Sequence, residues 1–191
     1  KLNLKNYVIL KKIGDIMTKD IYTKDEIRQM ICTKIDNKER FFHSVEYYAS
    51  LNESEFIYYL AICYFRGIFC EKNDKKIFEY ALKSAQMGNT KAMSLLTLLY
   101  RSGRGTKENF SEAFKWGLKA AENGSLTCMQ WTGDAYRRGL GTNMDLEKAI
   151  YWYKKGYENG DSYCKKLLSY AQEELLEERK MINELSEMNS K

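Results

Sequence analysis

The stretch YRRGLGT, Tyr136–Thr142, places two arginines and two glycines directly after a tyrosine. A glycine-rich loop with basic neighbours is typical either of a phosphate-binding loop or of a tight turn between helices. The same arrangement occurs 36 residues earlier as YRSGRGT, Tyr100–Thr106, and 36 residues before that as YFRGIFC, Tyr64–Cys70. A loop that recurs at a fixed period is typical of a repeat architecture. The glycines are therefore predicted to form turns.

Composition favours a helical domain of ordinary size. The chain has 191 residues, of which 44% are hydrophobic and 30% charged, and it contains no proline. Absence of proline over this length favours helices joined by short glycine turns. No apolar run approaches the length that a bilayer requires. The net charge of +5 is a mild excess, unlike the dense basic stripe of a nucleic-acid-binding protein.

Apolar residues recur at helical spacing within the 36-residue unit. With Ala92 as position 1, positions 1, 5 and 9 lie on one face of a first helix, helix A, and are predicted to bury it. A second helix, helix B, follows the turn, with apolar residues at positions 22 and 25. The aligned residues are Leu60, Leu96 and Thr132 at position 5; Tyr64, Tyr100 and Tyr136 at position 9; Ile77, Ala113 and Ala149 at position 22; and Tyr80, Trp116 and Trp152 at position 25.

Glycines and short polar residues are predicted to delimit both helices. A glycine at position 12 ends helix A because it enters the left-handed conformation without a Cβ clash. Asn73, Asn109 and Asp145 are predicted to cap helix B, and Ser125 is predicted to cap the following helix A. The glycines are Gly67, Gly103 and Gly139 at position 12; Gly105 and Gly141 at position 14, where the first unit has Phe69; and Gly88, Gly124 and Gly160 at position 33.

The combined pattern, A-x-x-x-L-x-x-x-Y-x-x-G-x-G followed by A-x-x-W-x-x-x-A-A-x-x-G, resembles the Sel1-like repeat family, which is related to tetratricopeptide repeats. Residues 92–124 match it almost throughout, and the resemblance covers about residues 54–170. The first unit departs from it at Phe56, Phe69 and Tyr80. The resemblance implies an all-α fold, a right-handed α-solenoid of 36-residue helix-turn-helix repeats, with helical caps at both ends.

This organisation divides the chain into three parts. Residues 1–53 are expected to form an N-terminal helical cap with a degenerate half-repeat, including a helix within residues 1–20 and another that starts at Thr23 with Glu26 three residues later. Three repeats follow, at 54–89, 90–125 and 126–161. Residues 162–191 lack turn glycines and are predicted to form one long capping helix. Its apolar stripe would comprise Leu168, Ala171, Leu175, Ile182 and Leu185.

The resemblance also implies where a partner binds. By analogy with the tetratricopeptide groove, positions 3, 7, 10 and 11 of the A helices should point into a concave groove. Aromatic and arginine side chains dominate binding hot spots, so this groove would suit an acidic or amphipathic peptide. The alternative is that its arginines are solvated and its apolar residues pack under a cap or under the C-terminal helix. The residues are Tyr58, Ile62, Phe65 and Arg66; Ser94, Leu98, Arg101 and Ser102; Gln130, Asp134, Arg137 and Arg138; Lys166 and Tyr170 would follow.

Other candidate sites have simpler structural explanations. The chain's single histidine, His43, is expected to be a packed structural residue beside Phe41 and Phe42. The glutamates near the C-terminus are expected to form a solvated helix face, with a second contact surface as the alternative. Cys128 and Cys164, one period apart, are expected to be small buried residues. No metal site, no cofactor and no catalytic constellation is predicted.

The expected function is therefore a non-enzymatic protein–protein interaction scaffold, a role that the resemblance implies. An alternative is an immunity protein that neutralises a secreted bacterial toxin by direct binding. Nucleic acid is a third class of partner, which steep salt dependence of binding would identify. No small-molecule substrate is expected. Secreted, cysteine-rich members of the family pair two cysteines within each repeat, and this chain lacks such pairs, so the resemblance favours a reducing compartment such as the cytoplasm.

Overall fold

A computed structural model of the chain describes residues 21–189. Every regular element in this range is an α-helix, so the all-α prediction is confirmed. The helix expected within residues 1–20 lies outside the described residues. The helices are α1 (Lys24–Cys32), α2 (Lys38–Ser50), α3 (Ser54–Arg66), α4 (Asp74–Gln86), α5 (Thr90–Ser102), α6 (Phe110–Glu122), α7 (Leu126–Arg138), α8 (Leu146–Glu158) and α9 (Ser162–Asn189).

Polar side chains cap the B helices α4, α6 and α8 as predicted. A side-chain oxygen of the residue before each helix accepts a hydrogen bond from a backbone N–H in the first turn, which would otherwise lack a partner. At α1, Thr23 and Glu26 form the predicted reciprocal capping box. The acceptors and donors are Asn73 and Lys76 at 3.0 Å, Asn109 and Glu112 at 3.0 Å, and Asp145 and Lys148 at 2.9 Å.

Ser125 is an exception to this pattern. It immediately precedes α7, but its side chain makes no capping hydrogen bond. Its hydroxyl oxygen instead lies 2.9 Å from that of Ser94 on α5. Ser125 is therefore the N-cap residue of α7, as predicted, but its side chain does not form the capping hydrogen bond, because its hydroxyl contacts a neighbouring helix.

The A helices α3, α5 and α7 end at glycines, as predicted. Gly67, Gly103 and Gly139 have φ values of +69°, +64° and +67°, in the left-handed region that glycine enters at little cost. The second glycine of the turn is required for a different reason, close packing. A Cβ at Gly141 would overlap the backbone of Phe110, where α6 begins. The turn of one repeat thus packs directly on the start of helix B in the preceding repeat.

The described helices belong to two compact units, and the boundary between Lys83 and Ser84 falls within α4. In the first unit, α1 packs on α2 and α2 on α3. The rings of Tyr64 and Tyr80 stack there with centroids 5.7 Å apart. In the second unit, α5 to α9 each pack on the next helix in order, and the A helices α5 and α7 also touch. This is the packing expected of stacked helix pairs.

Two hydrophobic clusters in the second unit each join successive helices. The first joins buried residues of α6 and α7, and the second joins α8 and α9. The alanines allow close helix approach, and one large ring fills the space in each cluster. The buried members are Ala113, Trp131 and Ala135 in the first cluster, and Ala149, Tyr153, Leu167 and Ala171 in the second.

Helix α9 is a single helix of 28 residues, as the missing turn glycines predict. Its first half packs on α8 through the buried side chains of Cys164, Leu167 and Ala171. The distal half projects beyond this contact, so Ile182 and Leu185 are 57% and 59% exposed. The predicted apolar stripe is thus covered in its first part only. No helix between residues 21 and 189 combines the length and the apolar character needed to cross a membrane.

Candidate binding site on the A helices

Four of the predicted groove residues line one cavity in the second unit. Leu98, Arg101 and Ser102 lie on one face of α5, because residues three and four apart are neighbours on a helix. Arg138, on the last turn of α7, lies on the same cavity. The cavity has a volume of about 310 Å³. Its remaining walls are Phe110, Trp131 and Leu140.

Arg101 is held in this cavity by an aromatic ring. Its guanidinium lies 3.7 Å from the centroid of the Trp131 ring, a cation–π contact. Partial burial lowers the pKa of Arg101, and the charge of Arg138 lowers it further, whereas Asp134 acts in the opposite direction. Among the residues that the structure describes, neither Arg101 nor Arg138 forms a salt bridge. The cavity therefore holds two guanidinium groups without a carboxylate bonded to either.

Trp131 forms the floor of the cavity and is only 5% exposed. The edge of its indole packs against Gly117 on α6, where an added Cβ would lie 2.7 Å from Cδ1 and 2.9 Å from Nε1. The glycine thus provides the space that the ring occupies. Sequence reasoning missed both residues, because it assigned core positions by their periodicity. The available signal was Gly117 itself. A glycine inside a helix, among larger residues, indicates that another side chain packs closely against it.

Arg137 is bound to the C-terminal helix. Its Nη2 lies 2.9 Å from Oε1 of Glu174, and its Nε donates to Oε2 of the same carboxylate at 2.9 Å. These bonds raise the pKa of Arg137. Asp134 is also engaged within the chain, since it accepts a 2.7 Å hydrogen bond from the hydroxyl of Tyr153. Arg137 is thus neither solvated nor open to a partner through these nitrogens, because it pairs with the capping helix.

The other predicted groove residues of the second unit are distributed between packing and solvent. Ser94 donates to the carbonyl of Thr90 and contacts Ser125 across the α5–α7 interface. Gln130 is half-buried. Lys166 and Tyr170 are exposed on α9, where the ammonium of Lys166 lies 5.6 Å from the tyrosine ring.

The predicted groove residues of the first unit lie together on α3. Tyr58, Ile62 and Phe65 are half-buried, and Arg66 is exposed. The guanidinium of Arg66 donates a 2.9 Å hydrogen bond to the carbonyl oxygen of Ile31, in the last turn of α1. Burial raises the pKa of the Tyr58 phenol, and the charge of Arg66 partly offsets this rise. These contacts connect α3 with α1.

The remaining candidate residues take no part in a recognisable catalytic or metal site. His43 is exposed; its ring contacts Phe42 and Phe69 edge-on, and its Nδ1 lies 3.2 Å from Glu46. Burial raises the pKa of the Cys70 thiol, which opposes formation of the reactive thiolate. Within residues 21–189, no group of three His, Cys, Asp or Glu side chains is arranged to hold a metal ion.

The 36-residue pattern, with its glycine-ended A helices, corresponds to a known protein repeat. The Sel1 repeat matches at residues 54–89, 90–125 and 128–161, which together make up more than half of the chain. The chain belongs to the Sel1 repeat family. Proteins with Sel1 repeats generally act as scaffolds for protein interactions. Comparison with curated proteins found no match.

Several solved structures share the fold. A Sel1 repeat protein from Oxalobacter formigenes is 25% identical over 74% of this chain, with a TM-score of 0.68, and the match spans 58% of that protein. The protective antigen c5321 of uropathogenic Escherichia coli, described as having an SLR fold, is 24% identical over 89% of this chain and 36% of its own, with a TM-score of 0.73. Helicobacter pylori cysteine rich protein B is 18% identical over 77% of this chain and 98% of its own, with a TM-score of 0.53.

Proposed function

We propose that this Sel1 repeat protein is a non-enzymatic scaffold that binds a segment of another protein on its A helices. The cavity lined by Leu98, Arg101 and Arg138 is the centre of that binding surface in the second unit. The partner segment carries acidic and apolar groups. No small-molecule substrate and no cofactor takes part.

The observation that carries this proposal is the exposed leucine at the arginine-lined cavity. Leu98 is 49% exposed, although it lies on the same helix as the fully buried Leu96 and Leu99. An apolar side chain beside arginine and tryptophan is the combination found at the centre of protein interfaces, where a partner covers it. Burying the exposed part of one leucine contributes roughly 1 kcal/mol to binding.

A displayed library of random twelve-residue peptides, selected on the immobilised protein, tests the proposal. Peptides that bind the wild type are then measured against Leu98→Ser. We expect this variant to bind them about fivefold or more weakly, since it removes the exposed apolar contact. Met144→Ser is the matched control, because Met144 is 63% exposed and does not line the cavity.

The outcome that contradicts the proposal is equally specific. If the selected peptides bind Leu98→Ser and Met144→Ser as well as they bind the wild type, the binding surface lies elsewhere. Thermal unfolding of each variant, followed by circular dichroism, separates lost binding from lost folding. The same variants test a folded partner, such as a secreted toxin neutralised by direct binding, because its interface would also cover Leu98.

We also propose that the protein acts in a reducing compartment such as the cytoplasm. All five cysteines are free thiols, and Cys63, Cys128 and Cys164 are buried. Buried thiols act as small apolar residues, so the packing around them requires no oxidation.

A further inference from the structure

Residues 36 apart occupy equivalent positions of successive repeats, so their contacts can be compared directly. One pair of these positions forms an ion pair in the last repeat. Arg101 and Arg137 are 36 residues apart and occupy the same position of the A helix. Arg138 and Glu174, also 36 residues apart, occupy the adjacent position. In the last repeat, Arg137 of α7 forms an ion pair with Glu174 of the following A helix, α9, at 2.9 Å.

One repeat earlier, the same pair of positions carries two positive charges. Arg101 of α5 is equivalent to Arg137, and Arg138 of α7 is equivalent to Glu174, so an arginine stands where the last repeat has a glutamate. Both arginines line the 310 Å³ cavity. The position that holds the carboxylate of Glu174 in the last repeat thus holds the guanidinium of Arg138 one repeat earlier. The cavity lies beside Arg101 and Arg138.

We propose that Arg101 and Arg138 together bind one carboxylate of the partner segment, and that an apolar group beside that carboxylate fills the cavity. This inference rests on the proposed function, because it specifies the chemistry of the partner at that surface. The carboxylate takes the role that Glu174 has for Arg137. Paired nitrogen donors of arginine bind carboxylates with charge-assisted hydrogen bonds, which are stronger than neutral ones.

The local charge favours a single carboxylate over a phosphate group. Asp134 acts electrostatically on Arg101, so the two guanidinium groups and this carboxylate have a combined charge of about +1. One carboxylate neutralises that charge, whereas a phosphate of about −2 exceeds it. The cavity also has apolar walls, formed by Leu98, Trp131 and Leu140. A hydrocarbon group attached to the carboxylate fits such walls, and a sugar–phosphate backbone does not.

The carboxylate can come from a glutamate or aspartate side chain or from a chain terminus. Three synthetic peptides distinguish these sources: Leu-Leu-Glu-Leu blocked at both ends, the same blocked peptide with Gln for Glu, and Leu-Leu-Gln-Leu with a free C-terminal carboxylate. Inorganic phosphate is the fourth probe. Binding is followed by NMR through the side-chain Nε–Hε signals of the arginines, assigned with Arg101→Lys and Arg138→Lys variants.

We expect one of the two carboxylate-bearing peptides to shift the Arg101 and Arg138 signals, while the blocked glutamine peptide shifts neither. The Arg137 signal is an internal control, because this arginine already holds the carboxylate of Glu174. Binding should weaken about tenfold or more in Arg138→Gln, the loss expected for a charge-assisted hydrogen bond. Lys107→Gln is the charge-matched control, since Lys107 is exposed and does not line the cavity.

Arg138→Glu is the most specific variant, because it reproduces within the chain the arrangement of Arg137 and Glu174. We expect the introduced carboxylate to pair with Arg101 and to displace the peptide, without lowering the thermal unfolding midpoint. If this variant binds the carboxylate peptides as well as the wild type does, the inference is wrong.

The outcomes also separate this inference from the proposed function. If Leu98→Ser weakens peptide binding while neither carboxylate-bearing peptide binds better than the blocked glutamine peptide, the scaffold function stands and the carboxylate inference is wrong. If phosphate alone shifts both arginine signals as strongly as the peptides do, the cavity is a general anion site, which also overturns the inference. If neither the leucine nor the carboxylate affects binding, both proposals fail.

Discussion

Gly117 makes room for one wall of the proposed binding site. The indole of Trp131 occupies the space beside its Cα, and Arg101 in turn lies on the face of that indole. The glycine costs helix stability, by about 1 kcal/mol relative to alanine in a helix interior. Here that cost allows a tryptophan to be buried under an arginine. A glycine inside a helix, which helix propensity disfavours, thus lies beside the proposed binding site.

Gly117→Ala is therefore expected to destabilise the protein, despite the higher helix propensity of alanine. The added methyl would lie 2.7 Å from the indole, so Trp131 must move. Overpacking of this kind costs about 1–3 kcal/mol. Urea unfolding measures the loss, and peptide binding at the cavity should weaken as well. Ser111→Ala, at an exposed position of the same helix, should change the unfolding free energy by less than about 0.5 kcal/mol. An equally stable Gly117→Ala variant would contradict the expected clash.

Tyr153 makes the stability of the fold depend on pH in the alkaline range. Burial first, and then the hydrogen bond to Asp134, raise the pKa of the Tyr153 phenol above its ordinary value of about 10. The fold therefore favours the neutral phenol. Its contribution to stability is complete below pH 10 and decreases as the pH rises above that value.

We expect the free energy of unfolding to fall above pH ~10, with Tyr153 contributing up to about 1.4 kcal/mol per pH unit. In Tyr153→Phe, which cannot ionise, this part of the slope should disappear. Urea titrations between pH 9 and pH 11 measure the slope, and the exposed Tyr163→Phe provides the comparison. Identical slopes in all three proteins would show that Tyr153 does not couple folding to ionisation.

At the scale of elements, α9 has two halves with different roles. Its first half buries Cys164, Leu167 and Ala171 and closes the last repeat. Glu174 then attaches the helix to α7 through Arg137. Beyond this pair the apolar side chains face solvent. The capping function therefore belongs to the first half of the helix, since solenoids need a cover for their terminal repeat.

Leucine substitutions in the two halves of α9 should have different effects. Leu167→Ala removes a side chain that is 8% exposed and should lower the free energy of unfolding by about 2–4 kcal/mol. Leu185→Ala changes a side chain that is 59% exposed and should cost less than about 0.5 kcal/mol. Both substitutions replace leucine by alanine in the same helix, so propensity is matched. Equal losses in urea unfolding would mean that the distal half is covered in solution.

At the scale of the whole molecule, the net charge of +5 is a mild positive excess, and the salt dependence of binding distinguishes a protein-binding scaffold from a nucleic-acid binder. Binding of one carboxylate by two arginines involves few counterions. We therefore expect peptide affinity to fall only a few-fold between 50 and 200 mM salt, whereas contacts to many phosphates reduce affinity by about 10³-fold or more. Fluorescence anisotropy with a carboxylate peptide and a single-stranded RNA measures both dependences. Tight RNA binding with a steep salt dependence would favour the nucleic-acid alternative.

The helices, turns and caps were predictable because they depend on residues close in sequence. Gly103 and Gly139 take left-handed conformations that other residues avoid, and Asn109 caps the N–H groups of the adjacent turn. The 36-residue period then implied that successive helix pairs stack. The side chain of Ser125 forms no capping hydrogen bond because the hydroxyl of Ser94, on another helix, offers a competing contact.

The candidate site depended on the tertiary structure in a different way. The sequence alone determined that this is an all-α Sel1 repeat protein and which positions of the A helices were candidates for binding. Only the tertiary structure decided that Arg137 pairs with Glu174, 37 residues away, while Arg101 lies on Trp131 beside an open cavity. The two arginines occupy the same repeat position, so local sequence treats them alike. The surroundings of Arg101 and Arg137 differ because each arginine contacts a side chain of the following A helix. These contacts form only when the helices pack.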